Sequence, residues 1–129
     1  MKKLYTIVLF TMTTLSVTSQ VIITEIADPN NDSQARFIEL ANIGDNAFDL
    51  TGYQLVRWTN ANTAYTTSSA VDLTEFGSLQ SKGILTLANN NKFETVYGVT
   101  PNKVIGSGGT ADSNGDDNIA ILDPNGSIY

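Results

Sequence analysis

From residue 20 onward the chain is a series of short apolar and β-branched runs, separated about every ten residues by clusters of Gly, Pro, Asn and Asp. Hardly any stretch has helical period, so the pattern predicts an all-β domain. Val21–Ala27 reads as a first strand, stopped by Asp28, Pro29, Asn30, Asn31 and Asp32, where proline lacks a donor and Asx side chains favour turns. In residues 37–41, Ile38 and Leu40 share a face and are predicted core, with Phe37 and Glu39 opposite. A third run, residues 48–58, is punctuated at Thr51 and Gly52. Beyond the glycine, Tyr53, Leu55 and Arg57 alternate with Gln54, Val56 and Trp58.

Residues 59–70, rich in Thr, Asn, Ala and Ser around Tyr65, predict an exposed loop with a short, weakly buried edge strand. Leu79 and residues 84–88 flank Ser81, Lys82 and Gly83, which suit a tight turn between two strands, with Leu85 and Leu87 inward. The one helical candidate is Lys92–Tyr97, with Asn91 as cap and Glu94 three residues on. Residues 106–118 hold four glycines, three aspartates and no large apolar side chain, and are predicted to form a surface loop. Asn118–Leu122 returns to strand. Asp123, Pro124, Asn125 and Gly126 fit a type I turn, after which residues 127–129 begin another strand.

The N-terminus reads differently. Met1, Lys2 and Lys3 precede an apolar stretch over residues 4–15, about a dozen residues and too short to cross a bilayer core of roughly 30 Å as a helix. It reads as a signal peptide over residues 1–19, with Val17 and Ser19 at the cleavage-site positions and Gln20 as the first mature residue. Removing it leaves Arg36, Arg57, Lys82, Lys92 and Lys103 against 13 carboxylates, a charge of −8 where the whole chain carries −6. Such acidity works against phosphate backbones and anionic lipid. There is no cysteine and no histidine, which excludes disulfides, thiol nucleophiles, imidazole bases and most transition-metal sites.

Four segments in order carry a family resemblance: RFIELAN at 36–42, FDLTGYQL at 48–55, LQSKGILTLAN at 79–89 and GDDNIAILDPNGSI at 115–128. Together they resemble the lamin tail domain. The resemblance implies an immunoglobulin-like β-sandwich, found at the end of nuclear lamins and, in bacteria, within exported proteins beside nucleases, phosphatases or other modules, where it binds or tethers without catalysing. About seven short strands in roughly 100 residues agree with that architecture. It also implies a further strand of the "DVFG" sort, so the domain at 20–129 is expected to be C-terminally truncated, lacking its complete last strand. The basic surface of some relatives is missing here.

Three features invite promotion to sites. Asp112, Asn114, Asp116 and Asp123 stand at places 1, 3, 5 and 12 of a calcium-loop frame, but glycine falls at place four, Asp rather than Glu closes it, and a plain solvated loop is the favoured reading. Glu25 and Glu39, on neighbouring strands, have the composition of a glycosidase pair, yet outward carboxylates on a half-buried sheet are ordinary. Tyr53, Trp58 and Tyr65 offer flat faces for sugar, although core packing is expected of them. The Asn31-Asp32-Ser33 and Asn125-Gly126-Ser127 glycosylation triplets are expected to stay unmodified.

The sequence thus predicts an exported, non-catalytic binding or tethering module with no catalytic residues, no cofactor and no metal. Its expected partner is a protein or cell-surface polymer, without direct nucleic-acid binding and without a membrane span once the signal is removed. Its expected location is extracellular, on the cell surface or periplasmic. Two alternatives stand beside this: the N-terminal accessory domain of a larger extracellular hydrolase, a nuclease or phosphoesterase, and a carbohydrate-binding sandwich that needs Trp58 and Tyr65 exposed on one face.

Overall fold

The computed structural model describes residues 20–129; the predicted signal peptide lies outside the described residues. Strands β1 (Val21–Ala27) and β2 (Phe37–Asn42) pair antiparallel, with an irregularity between Ile23 and Glu25. β2 pairs in turn with β7 (Ile84–Ala88), and β7 pairs parallel with the two-residue β8 (Lys103–Val104), giving one sheet in the order β1-β2-β7-β8. A second sheet runs β5-β4-β9, from β5 (Val71–Asp72), β4 (Gln54–Trp58) and β9 (Asn118–Leu122). A separate two-stranded ladder pairs β3 (Phe48–Asp49) with β6 (Ser78–Leu79).

Strand alternation decides what the sheets bury. Ile38, Leu40, Leu85 and Leu87 from the first meet Leu55 and Ile121 from the second, with Val21, Leu50, Val71 and Leu73 closing the same core. Burying each large aliphatic side chain stabilises the fold by about 1.5–3 kcal/mol relative to leaving it in water. The predicted inward residues of β2 and β7 therefore stand where the alternation put them. Phe37, on the opposite face of β2, is also buried, because helix α1 (Lys92–Tyr97) lies across that face: its ring meets Phe93 at 5.1 Å and Tyr97 at 5.0 Å, both near edge-on. The expected cap of α1 is not used. Asn91 is helical in conformation with no side-chain cap bond, while Glu94 Oε1 accepts from the Thr100 hydroxyl at 2.7 Å.

Other expectations change in three dimensions. The third run divides at Thr51-Gly52 into β3 and β4, which belong to different sheets. Residues 80–83 do form a turn, Gly83 N–H donating to the Gln80 carbonyl at 2.8 Å, but β6 and β7 do not pair with each other. The turn is clamped to the loop after β2 by Ser81 and Lys82, which donate to the Gly44 and Ile43 carbonyls, so it crosses from one sheet to the other. No strand forms in residues 59–70; a 3-10 turn occupies Thr67–Ser69 and the edge strand is β5 just beyond. Residues 127–129 form no strand of their own: Ile128 makes an isolated antiparallel bridge to Leu122, and Tyr129 N–H donates to the Ile121 carbonyl at 2.9 Å. Among the described residues no helix is long and apolar enough to cross a membrane.

Candidate functional site

The glycine-rich segment 106–118 is not the solvated loop that its composition suggests. Thr110, Ala111 and Ser113 are buried, and Ala111 belongs to the main core. Small side chains let the backbone sink between the sheets, where the Thr110 hydroxyl donates to the Ser69 carbonyl and reaches the Leu55 carbonyl at 3.3 Å. Two buried arginines, 21 positions apart in sequence, hold this segment from either side. Arg36 donates from Nε to Asp28 Oδ1 and from Nη1 to Asp112 Oδ1, both at 2.8 Å. Arg57 donates from Nη1 to the Asp112 carbonyl, from Nη2 to the Gly108 carbonyl at 3.1 Å, and lies 3.3 Å from Asp117 Oδ2.

Electrostatics follow from this packing. Burial opposes ionisation of Asp112, but the Gly108 N–H and the Arg36 guanidinium outweigh it and hold the carboxyl below the usual aspartate range. The bond to Asp28 raises Arg36 further above its ordinary value, against the opposing effect of burial. Each guanidinium faces carboxylates and carbonyls of its own chain, so this arrangement anchors a loop rather than receiving a substrate. Sequence reasoning missed both arginines, since nothing in the local pattern marks a cation whose partner lies far along the chain.

The predicted site residues are mostly kept apart. Asp112 is committed to Arg36, Asn114 and Asp116 are exposed, and Asp123 Oδ1 caps its own turn by accepting from the Asn125 and Ser127 N–H groups at 2.9 Å. Among the described residues no group of three or more His, Cys, Asp or Glu is gathered to hold a metal ion. Glu25 and Glu39 are brought together as direct cross-strand partners, with Glu39 Oε1 accepting from the Thr24 hydroxyl at 2.6 Å.

The aromatic trio divides. Tyr53 packs on the main core, its ring 5.2 Å from both Phe48 and Tyr129. Trp58 and Tyr65, expected in the core, are instead half-buried against each other at 5.7 Å and 75°. The correction has a simple cause: Leu55 and Arg57 take the inner face of β4, so Trp58 shares the outer face with Gln54 and Val56. There it lines a groove of about 560 Å³ with Asn62, Thr63, Asn118 and the strongly exposed Ile128.

Two packed sheets with short strands, an outer helix and an arginine-anchored loop define an immunoglobulin-like β-sandwich. The chain belongs to the lamin tail domain family, whose model matches residues 14–129; it is a non-catalytic immunoglobulin-like family. A search of curated proteins found no match.

Proposed function

We propose that this chain is an exported, non-catalytic binding or tethering module that engages its partner through the outer face of the β5-β4-β9 sheet. The observation that carries this reading is the aromatic pair of Trp58 and Tyr65 there, half-buried against each other at 5.7 Å. Aromatic rings left partly in water on the outer face of a sheet are characteristic of a recognition surface. The charged side chains at the other candidate position are engaged in holding the fold, whereas contact at this face breaks no such bond.

The test is sedimentation of the purified chain with isolated cell envelopes and shed extracellular polymer. The chain is expected in the pellet, and Trp58→Ser, checked for native circular dichroism, in the supernatant. Recovery of the unaltered chain wholly in the supernatant, or turnover of chromogenic phosphoester or glycoside substrates, overturns the reading. Export is tested separately by fusing residues 1–19 to an alkaline phosphatase lacking its own signal; an inactive fusion removes that part of the proposal.

A further inference from the structure

We infer that Asn114 is a site of spontaneous covalent modification, where the peptide bond to Gly115 rearranges to an isoaspartyl linkage as the protein ages. The inference stands apart from the binding-module reading and rests on three observations. The first is the dipeptide. Of the asparagines in this chain only Asn114 and Asn125 precede glycine, whose missing Cβ lets its backbone nitrogen reach the carbonyl carbon of the preceding side chain. Both asparagines are exposed, and a Cβ on either glycine would meet nothing within 4 Å, so bulk and burial oppose ring closure at neither position.

The second is what each glycine N–H does. The attacking atom is the glycine nitrogen after loss of its proton, so a hydrogen bond that the N–H donates must break first. Gly126 N–H donates to the Asp123 carbonyl at 2.9 Å, within a turn that Asp123 Oδ1 closes further by accepting from the Asn125 and Ser127 N–H groups. Gly115 N–H has only the Ser113 hydroxyl, at 3.3 Å. Asn114 is thus the reactive one of two identical dipeptides.

The step balances without redox chemistry. Hydroxide takes the Gly115 N–H proton, the nitrogen bonds to Asn114 Cγ, and Nδ2 departs as ammonia, leaving a five-membered succinimide. Water then opens the ring. Addition at Cγ breaks the new bond and gives aspartate. Addition at the main-chain carbonyl carbon breaks the original peptide bond and leaves a main chain that runs through Cβ and Cγ, one atom longer.

The third observation is where that extra atom falls. Arg57 Nη1 donates to the Asp112 carbonyl and lies 3.3 Å from Asp117 Oδ2, so residues 112–117 form a loop closed on one buried guanidinium. Within it Asn114, Gly115 and Asp116 are exposed. A main-chain atom added inside a closed loop displaces one of its anchors, whereas a charge added at an exposed position leaves both in place. Isoaspartate therefore loosens the 106–118 segment and aspartate does not.

The experiment incubates the purified chain, folded and in guanidinium chloride, in mildly alkaline buffer. Both dipeptides are followed by peptide mass spectrometry with electron-transfer fragmentation, which tells isoaspartate from aspartate. In the folded chain Asn114 is expected to convert at least about fivefold faster than Asn125, and in the unfolded chain the two rates are expected to converge. The aged chain is expected to lose part of its urea midpoint, with Asn114→Asp keeping that of the fresh chain. Asn114→Gln, whose longer side chain closes a ring poorly, is expected to prevent the loss. Conversion of Asn125 as fast as Asn114 in the folded chain overturns the inference, as does the absence of isoaspartate at Asn114. An aged chain with an unchanged midpoint, or Asn114→Asp as unstable as the aged chain, overturns the role given to the loop closed on Arg57.

Discussion

Arg36 and Asp112 stand 76 positions apart in the chain, yet the guanidinium Nη1 of one donates to the carboxylate Oδ1 of the other at 2.8 Å, with both side chains largely withdrawn from water. This contact fastens the 106–118 segment to the rim of the β1-β2-β7-β8 sheet.

Removing one partner of a buried pair strands the other, a loss on the order of 3 kcal/mol. Arg36→Ala is therefore expected to destabilise the chain by about that amount, because Asp28 and Asp112 both lose their cation. Asp112→Ala is expected to cost less, since Arg36 keeps Asp28. Urea denaturation measures both, and equal losses would contradict the arrangement.

The same contact makes stability depend on pH in a defined direction. Asp112 has its folded pKa depressed below the ordinary 3.8, burial notwithstanding, by the Gly108 N–H and Arg36. A depressed carboxylate contributes stability that is fully present above its unfolded pKa and lost as pH falls through the folded one. The urea midpoint is thus expected to fall steeply below about pH 4, and Asp112→Asn to flatten part of that fall. Curves of wild type and variant that run parallel from pH 5 to pH 2 would remove Asp112 from the explanation.

Gly52 and Gly77 both adopt positive φ, at 80° and 62°, but a Cβ on Gly52 would meet Pro124 Cβ at 3.0 Å whereas one on Gly77 meets nothing within 4 Å. Each alanine substitution is expected to cost roughly 1–2 kcal/mol from backbone strain. In Gly52→Ala the turn at Pro124 must also shift, whereas in Gly77→Ala, at φ 62° and ψ −120°, the cost is that of the backbone alone. Thermal melts of the two variants rank them directly.

Phe93→Ala tests the satellite core. It removes the ring that α1 lays against Phe37 and Ala88, with an expected loss of about 3 kcal/mol and little change in the β-sheet signal of circular dichroism. A loss under about 1 kcal/mol would mean that α1 adds nothing to the sheet it covers.

Trp58 is the single tryptophan, so its emission reports the outer face alone. Half-buried against Tyr65, it is expected to be quenched by acrylamide to an intermediate degree, and more strongly in Tyr65→Ala, which removes the ring that covers it. Complete protection in the unaltered chain would place the indole in the interior.

What could be read from the residues was whatever depends on near neighbours. Alternation over a few residues fixes which side of a strand is apolar, and so Ile38, Leu40, Leu85 and Leu87 were legible as core, as were the bounds of β1, α1 and β9. The four family segments carried the architecture, and the turn at Asp123-Pro124-Asn125-Gly126 followed from turn chemistry. What sequence spacing does not encode is which strand lies beside which. Gly52 sends β3 and β4 to different ladders, residues 80–83 cross between sheets instead of closing a hairpin, and β8 arises only because β7 offers it an edge. The same holds for the candidate site. Trp58 looked like a core residue until Leu55 and Arg57 took the inner face, and a polar, glycine-rich segment became interior once folding brought Arg36 and Arg57 to its carbonyls and carboxylates. Local pattern is set by covalent geometry within a few residues; long-range pairing is chosen by burial and charge neutralisation among groups that meet only after the chain has closed on itself.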